Sequence, residues 1–190
     1  LPGLGCARAF ASIRVSSAVT RRVSVVSSGR RDPGGGIMPA CSLTIMRSAA
    51  DTLKKVSLEL GGNSPNIFFA DADFESAVDG ALFGVFINQG EVCSAGSRVL
   101  VERPIYKKML DAMVEKAKRI KLGNGMERET KMGPVVSREQ MERVMRYQEI
   151  GKKEAKVATG GGRPKDAALQ KGYYVEPTIF YDVDNSVAIA

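Results

Sequence analysis

The chain has 190 residues, 44% hydrophobic and 26% charged, an ordinary composition for one globular domain or one and a part; no apolar run approaches the ~18 residues that span a bilayer, so no membrane partner is expected. Histidine is absent, which removes Ser-His-Asp triads, Cys-His proteases and histidine metal sites together. The net charge of +7 is uneven: residues 1–44 carry six arginines against Asp32 alone, a balance of +5, but with no lysine and only Phe10 as an aromatic they do not resemble a nucleic-acid face.

Residues 1–44 are rich in Ser, Arg, Gly and Ala and lack a sustained period apart from short apolar patches such as Val23–Val26, so a basic, unstructured segment is expected there. Arg-rich, Ser-rich, acid-poor composition also marks an organelle transit segment, so import stands beside a disordered tail. Cys6, Cys41 and Cys93 form no Cys-x-x-Cys pair, which argues against a zinc knuckle or a disulfide framework and makes a reducing compartment, the cytoplasm, the default.

From Ile45 to Lys55 the apolar residues Ile45, Met46, Ala49, Ala50 and Leu53 stand near helical spacing. In Val56–Leu60 apolar and polar residues alternate as in a strand. Asn66–Phe69 is more continuously apolar, suited to a strand buried on both faces. Asp71, Asp73 and Glu75 open a helix to about Ile87 whose stripe is Phe74, Ala77, Val78, Ala81, Leu82 and Val85. A strand at Val99–Glu102 is followed by Pro104, a residue tolerated at a helix start, and by Ile105, Met109, Met113, Ala117 and Ile120 at helical spacing. Ser137 to Gln140 reads as a capping box for a helix to about Gly151, with Met141, Val144, Met145 and Gln148 inside. Lys156–Thr159 predicts a strand, Gly160–Gly162 a turn, and Tyr173–Phe180 a strand interrupted by Pro177. No Lys-Ser/Thr follows the glycines, so a phosphate loop is not supported. Alternating strands and helices predict an α/β layered fold with a largely parallel sheet.

Two stretches carry possible chemistry. In Leu58-Glu59-Leu60-Gly61-Gly62 a carboxylate stands at a strand end before two glycines, which allow positive φ or a close backbone approach. Glu59 is then either simply solvated or a base. In Asn88-Gln89-Gly90-Glu91-Val92-Cys93-Ser94-Ala95-Gly96-Ser97-Arg98 a thiol lies in a small-residue loop ahead of the strand at Val99. Small neighbours leave room for a substrate, although most free cysteines are buried and inert. With no imidazole in the chain, a working Cys93 needs a carboxylate, backbone dipoles or a cofactor as its helper.

These two motifs, in this order, resemble the NAD(P)-dependent aldehyde dehydrogenase superfamily. The likeness runs from about Ile45 through Ser64-Pro65-Asn66-Ile67, Met132-Gly133-Pro134 and Gly172-Tyr173-Tyr174-Val175-Glu176-Pro177-Thr178 to the C-terminus. It implies a partial aldehyde dehydrogenase domain at 45–190, with residues 1–44 outside it. The strand and Phe-Thr-Gly-Ser turn that the family carries before this point are absent, so residues 1–44 are expected not to be a native part of the fold.

The resemblance implies that Cys93 attacks an aldehyde, that the thiohemiacetal gives up a hydride to NAD or NADP, and that Glu59 activates the water that hydrolyses the thioester. Leu60 and Gly61 match positions that touch the nicotinamide through their backbone. The oxyanion donors are the Cys93 N–H and an upstream asparagine that has no counterpart here, and the Glu-Ile-Phe-Gly-Pro stretch that holds the cofactor ribose is also missing. The isolated chain is therefore expected not to turn over aldehydes. The implied partners are a small-molecule aldehyde and, for full-length members, further copies of the same chain; no metal is implied. A non-catalytic or subunit-interaction fragment is the alternative, and an enzyme passing the acyl group to coenzyme A a lesser one.

Overall fold

The computed structural model describes residues 10–16, 37–50, 53, 55–56 and 62–190. Its strands are β1 (Phe10–Ser16), β2 (Pro65–Phe68), β3 (Arg98–Glu102), β4 (Lys156–Thr159) and β5 (Thr178–Tyr181), and its helices are α1 (Ile37–Ala50), α2 (Phe74–Phe86), α3 (Tyr106–Lys118), α4 (Arg138–Glu154) and α5 (Ala167–Gln170). The strands form one sheet in the order β2-β3-β1-β5-β4.

The fold is the expected α/β type. β2 and β3 pair in parallel, and β1 pairs antiparallel with both β3 and β5, so β2, β3 and β5 share a direction. β4 pairs antiparallel with β5. Hydrogen-bonded neighbours are thus mostly antiparallel, because β1 and β4 run against the other three.

The helices form where local signals specify them. Asp73 caps α2 by accepting from the Ser76 N–H at 2.9 Å, and Ser137 caps α4 by accepting from the Gln140 N–H at 3.2 Å; caps of this kind stabilise by about 1 kcal/mol. The stripe of α2 packs on that of α3 and on the sheet: Val78, Ala81, Leu82 and Val85 meet Val99 and Val101 of β3, Met109 and Met113 of α3, and Ile179 of β5. Burying each of the larger side chains contributes about 1.5–3 kcal/mol. Lys116 adds ion pairs to Glu75 and Asp79 at 3.0 and 2.7 Å, but their exposure makes them minor beside the apolar contact. Behind β5, the Gly151 backbone of α4 lies against the Phe180 ring, where a Cβ would stand 2.6 Å from Cζ.

Three expectations are revised. Within residues 1–44 the described parts are β1, the middle strand of the sheet, and the start of α1 at Ile37. Backbone pairing on both sides supplies what the isolated segment lacks; the other residues of 1–36 lie outside the described set. The helix expected at Ile45–Lys55 ends at Ala50, and Leu43, Ile45 and Met46 are about half exposed, outside the core clusters. β2 was expected to be buried on both faces but lies at the end of the described sheet, with Ile67 49% exposed. The strand expected at Tyr173–Phe180 starts only at Thr178, since Pro177 offers no ladder N–H. The strand expected at Val56–Leu60 falls on residues 57–60, outside the described residues. Among the described residues no helix is long and apolar enough to cross a membrane.

Candidate functional site

Cys93 sits where α2 has ended and β3 has not begun. After α2 the chain passes through a 3-10 turn at Ile87–Gly90, where Asn88, Gln89 and Gly90 take φ values of 49°, 57° and 79°. Three successive left-handed residues reverse the chain sharply; glycine and asparagine accept that conformation most easily. The Ala95 N–H donates to the Val92 carbonyl at 3.1 Å, which closes a turn around Cys93 and Ser94. The Gly96 N–H donates to the Gly84 carbonyl of α2, also at 3.1 Å. Within this frame Cys93 is a free, exposed cysteine.

The Gly62–Ser64 segment runs beside this loop. The Ser64 N–H donates to the Ala95 carbonyl at 3.2 Å, and the Arg98 N–H donates to the Ser64 carbonyl at 3.4 Å, extending the β2–β3 pairing toward the thiol. The Ser97 hydroxyl donates to the Asn63 side-chain oxygen. A Cβ built on Gly62 would lie 2.2 Å from the Cys93 carbonyl oxygen, so only glycine lets these backbones approach as they do. Gly62 is not among the positive-φ glycines, which makes close approach, rather than a left-handed turn, its reason for being glycine.

Glu59, Leu60 and Gly61 lie outside the described residues. The structure describes Cys93 and the last glycine of the Glu59 motif, and brings those two together. Two charged neighbours of the thiol in sequence are directed elsewhere. The Glu91 carboxylate accepts from the Val136 N–H at 3.4 Å; burial pushes its pKa up, and that hydrogen bond opposes the rise. The Arg98 guanidinium donates to the Ala190 carbonyl at 3.2 Å.

The contacts Ser97–Asn63 and Glu91–Val136 are absent from the sequence reading. Their partners are 34 and 45 residues apart, and no local periodicity signals such pairs. An open groove of about 820 Å³, lined by Tyr106, Leu110, Val114, Val157 and Tyr181 among others, lies along α3 and β4–β5 and takes no residue from the Cys93 loop.

The profile described as Aldehyde dehydrogenase family matches residues 40–190. Betaine aldehyde dehydrogenase of Bacillus subtilis (strain 168) is 53% identical over 146 residues, 76% of this chain and 30% of the relative. The corresponding enzyme of Brucella anthropi is 46% identical over 147 residues, 77% of this chain and 30% of the relative. Among solved structures, the NAD+ complex of aldehyde dehydrogenase from Bacillus cereus superposes with a TM-score of 0.73 at 52% identity, covering 79% of this chain and 30% of that one. Betaine aldehyde dehydrogenase from Staphylococcus aureus in complex with NAD+ gives 0.73 at 45% identity, with the same coverage. The chain thus spans about 30% of the length of these relatives. With the profile matched over most of its residues, the chain belongs to the aldehyde dehydrogenase family.

Proposed function

We propose that residues 45–190 are the thiol-bearing part of an enzyme that oxidises an aldehyde to a carboxylic acid with NAD or NADP as acceptor, with Cys93 as nucleophile and Glu59 as general base. The observation that carries this reading is the approach of Gly62 to the Cys93 carbonyl. Glu59 precedes Gly62 by three residues, so that approach ties the carboxylate's segment to the thiol loop. Leu60 and Gly61 lie between them in sequence and would hold a nicotinamide through their backbone, as the resemblance implies.

The Cys93 thiolate adds to the aldehyde carbonyl carbon, and the oxygen takes the negative charge with the Cys93 N–H as its donor. The chemistry a nicotinamide supplies when bound is acceptance of a hydride. Glu59 then takes a proton from the water that attacks the acyl group left on Cys93. The carbon–sulfur bond breaks, sulfur leaves as thiolate, and the carboxylic acid is released. Sulfur suits both roles, being a strong nucleophile and a good leaving group.

The test is a chimera in which residues 45–190 replace the matching 30% of the Bacillus subtilis betaine aldehyde dehydrogenase. The chimera is expected to form NADH from aldehyde. Cys93→Ser is expected to abolish that activity. Glu59→Gln is expected to give one equivalent of NADH and then turnover slower by about 100- to 10,000-fold. A folded chimera that forms no NADH, or one that keeps activity after Cys93→Ser, overturns the reading. Undiminished hydrolysis after Glu59→Gln excludes Glu59 as the base.

A further inference from the structure

Ahead of Cys93 the chain carries three left-handed residues in a row, Asn88, Gln89 and Gly90. A backbone in that region persists only where its surroundings over-determine it. Inside the turn the Glu91 N–H donates to the Asn88 carbonyl at 2.9 Å, and the Asn88 side-chain amide donates to the Glu91 carbonyl at 3.4 Å. Both bonds are local, so neither fixes the turn against the rest of the molecule.

Residues 132–136 supply that anchorage, because they are tied into two separate cores. Met132 is buried in the main core, and its N–H donates to the Lys121 carbonyl at 3.2 Å. Val135 is buried against Val144 and Val175, and its N–H donates to the Tyr173 carbonyl at 3.0 Å. Pro134 has no N–H to place. The amides of Gly133 and Val136 remain to be satisfied, and side chains of the thiol turn meet both. The Glu91 carboxylate accepts from the Val136 N–H at 3.4 Å. With its amide turned so that the oxygen faces a donor, Gln89 accepts from the Gly133 N–H at 3.1 Å and donates to the Asn88 carbonyl at 3.0 Å. Two side chains of one strained turn thus set acceptors on two donors of one firmly held segment.

We propose that Gln89 and Glu91 are positioning residues, whose side chains brace the left-handed turn on residues 132–136 and so set where the Cys93 thiol stands. This role rests on Cys93 being the nucleophile of the reaction above, and both residues act through it rather than on the reacting atoms. Each position needs a side-chain acceptor and not a charge. Glutamine can therefore stand in for Glu91, whereas a side chain of similar length without an oxygen cannot.

The test compares Glu91→Met, which keeps the length and loses the acceptor, with Glu91→Gln, which keeps both. In the full chain, hydrogen exchange is followed at the Glu91 and Ala95 amides, which donate within the thiol turn. Glu91→Met is expected to speed their exchange about tenfold, the effect of about one hydrogen bond, while α3 is unchanged. Glu91→Gln is expected to match the unchanged chain. Unaltered exchange in Glu91→Met, or an equal rise throughout α3, overturns the brace. In the chimera, Glu91→Met and Gln89→Met are each expected to lower kcat by about 10- to 100-fold with KM held within about twofold. Glu91→Gln is expected to keep kcat within about threefold of the unsubstituted chimera. A kcat that Glu91→Met leaves intact, or that Glu91→Gln lowers as far as Glu91→Met does, overturns the positioning role. A chimera that is inactive before any substitution overturns the aldehyde reading alone, and the exchange comparison still decides the brace.

Discussion

At position 62 the lack of a side chain sets the distance between two chain segments. A methyl group there would stand 2.2 Å from a backbone oxygen of Cys93, and a backbone oxygen cannot rotate aside as a flexible side chain would. Gly62→Ala is expected to cost about 1–3 kcal/mol in urea unfolding. In the chimera it is expected to lower kcat by about 100-fold, the effect of displacing a reacting group by about 1 Å. A fully active, equally stable alanine variant would show that the approach of the two segments is not required. The sequence had offered two reasons for this glycine, a positive φ or a close approach, and only the folded backbone selects the second. Cys93 was more legible: Gly90, Gly96 and Ser97 already marked its surroundings as small and loop-like.

The elements differ in how much of them a sequence shows. α2, α3 and α4 were readable because their determinants lie within one or two turns: a stripe repeating at 3.6 residues, a cap at Asp73 or Ser137, and Gln148 on an inner face. β1 was missed although Ala11, Ile13 and Val15 alternate with Ser12, Arg14 and Ser16. Six residues of alternation are a weak signal, and the partners that stabilise this strand lie in β3 and β5, far along the chain. Thr178 shows the same dependence on distant partners. It is 0% exposed, and its hydroxyl accepts from Gln148 Nε2 at 2.9 Å and from the Gly161 N–H at 2.8 Å while donating to the Glu176 carbonyl at 2.9 Å. One side chain therefore joins α4, the glycine turn and β5, using its full capacity of one donor and two acceptors. Thr178→Val keeps the shape and strips all three bonds, leaving buried donors without partners. The expected loss is about 2–4 kcal/mol by denaturant unfolding with an unchanged m-value; a loss below about 0.5 kcal/mol would show that the three-way junction does not hold these elements.

For the whole molecule, alkaline pH offers a test of how the helical layer is fastened to the sheet. Tyr106 at the start of α3 donates to the Asp182 carboxylate at 3.0 Å and accepts from the Asp182 N–H at 3.2 Å, just beyond β5. Burial pushes its pKa up to about 12 from 10.0, with the N–H donor opposing and the nearby carboxylate adding to the rise. The folded state thus keeps this proton longer than the unfolded chain. The stability it contributes is complete below pH 10 and is lost as pH climbs from 10 to about 12. Comparing the unfolding free energy of the unchanged chain with that of Tyr106→Phe should show a gap that narrows through that window. A gap that stays constant would remove Tyr106 as the titrating contact.

The three left-handed residues ahead of the thiol have a consequence for how the molecule comes apart. Of the three, Gln89 is the one whose side chain resists that conformation, at a cost of about 1–2 kcal/mol, a load held in place by Val85 and Phe86 on one flank and Val99 on the other. The stretch between those anchors behaves as a cocked spring: it releases energy on letting go, whereas the helical layer must give up apolar burial to do so. Local opening is accordingly expected to start at this stretch while the rest of the molecule stays shut, read as faster amide exchange at residues 88–92 than within α2; equal protection would exclude it.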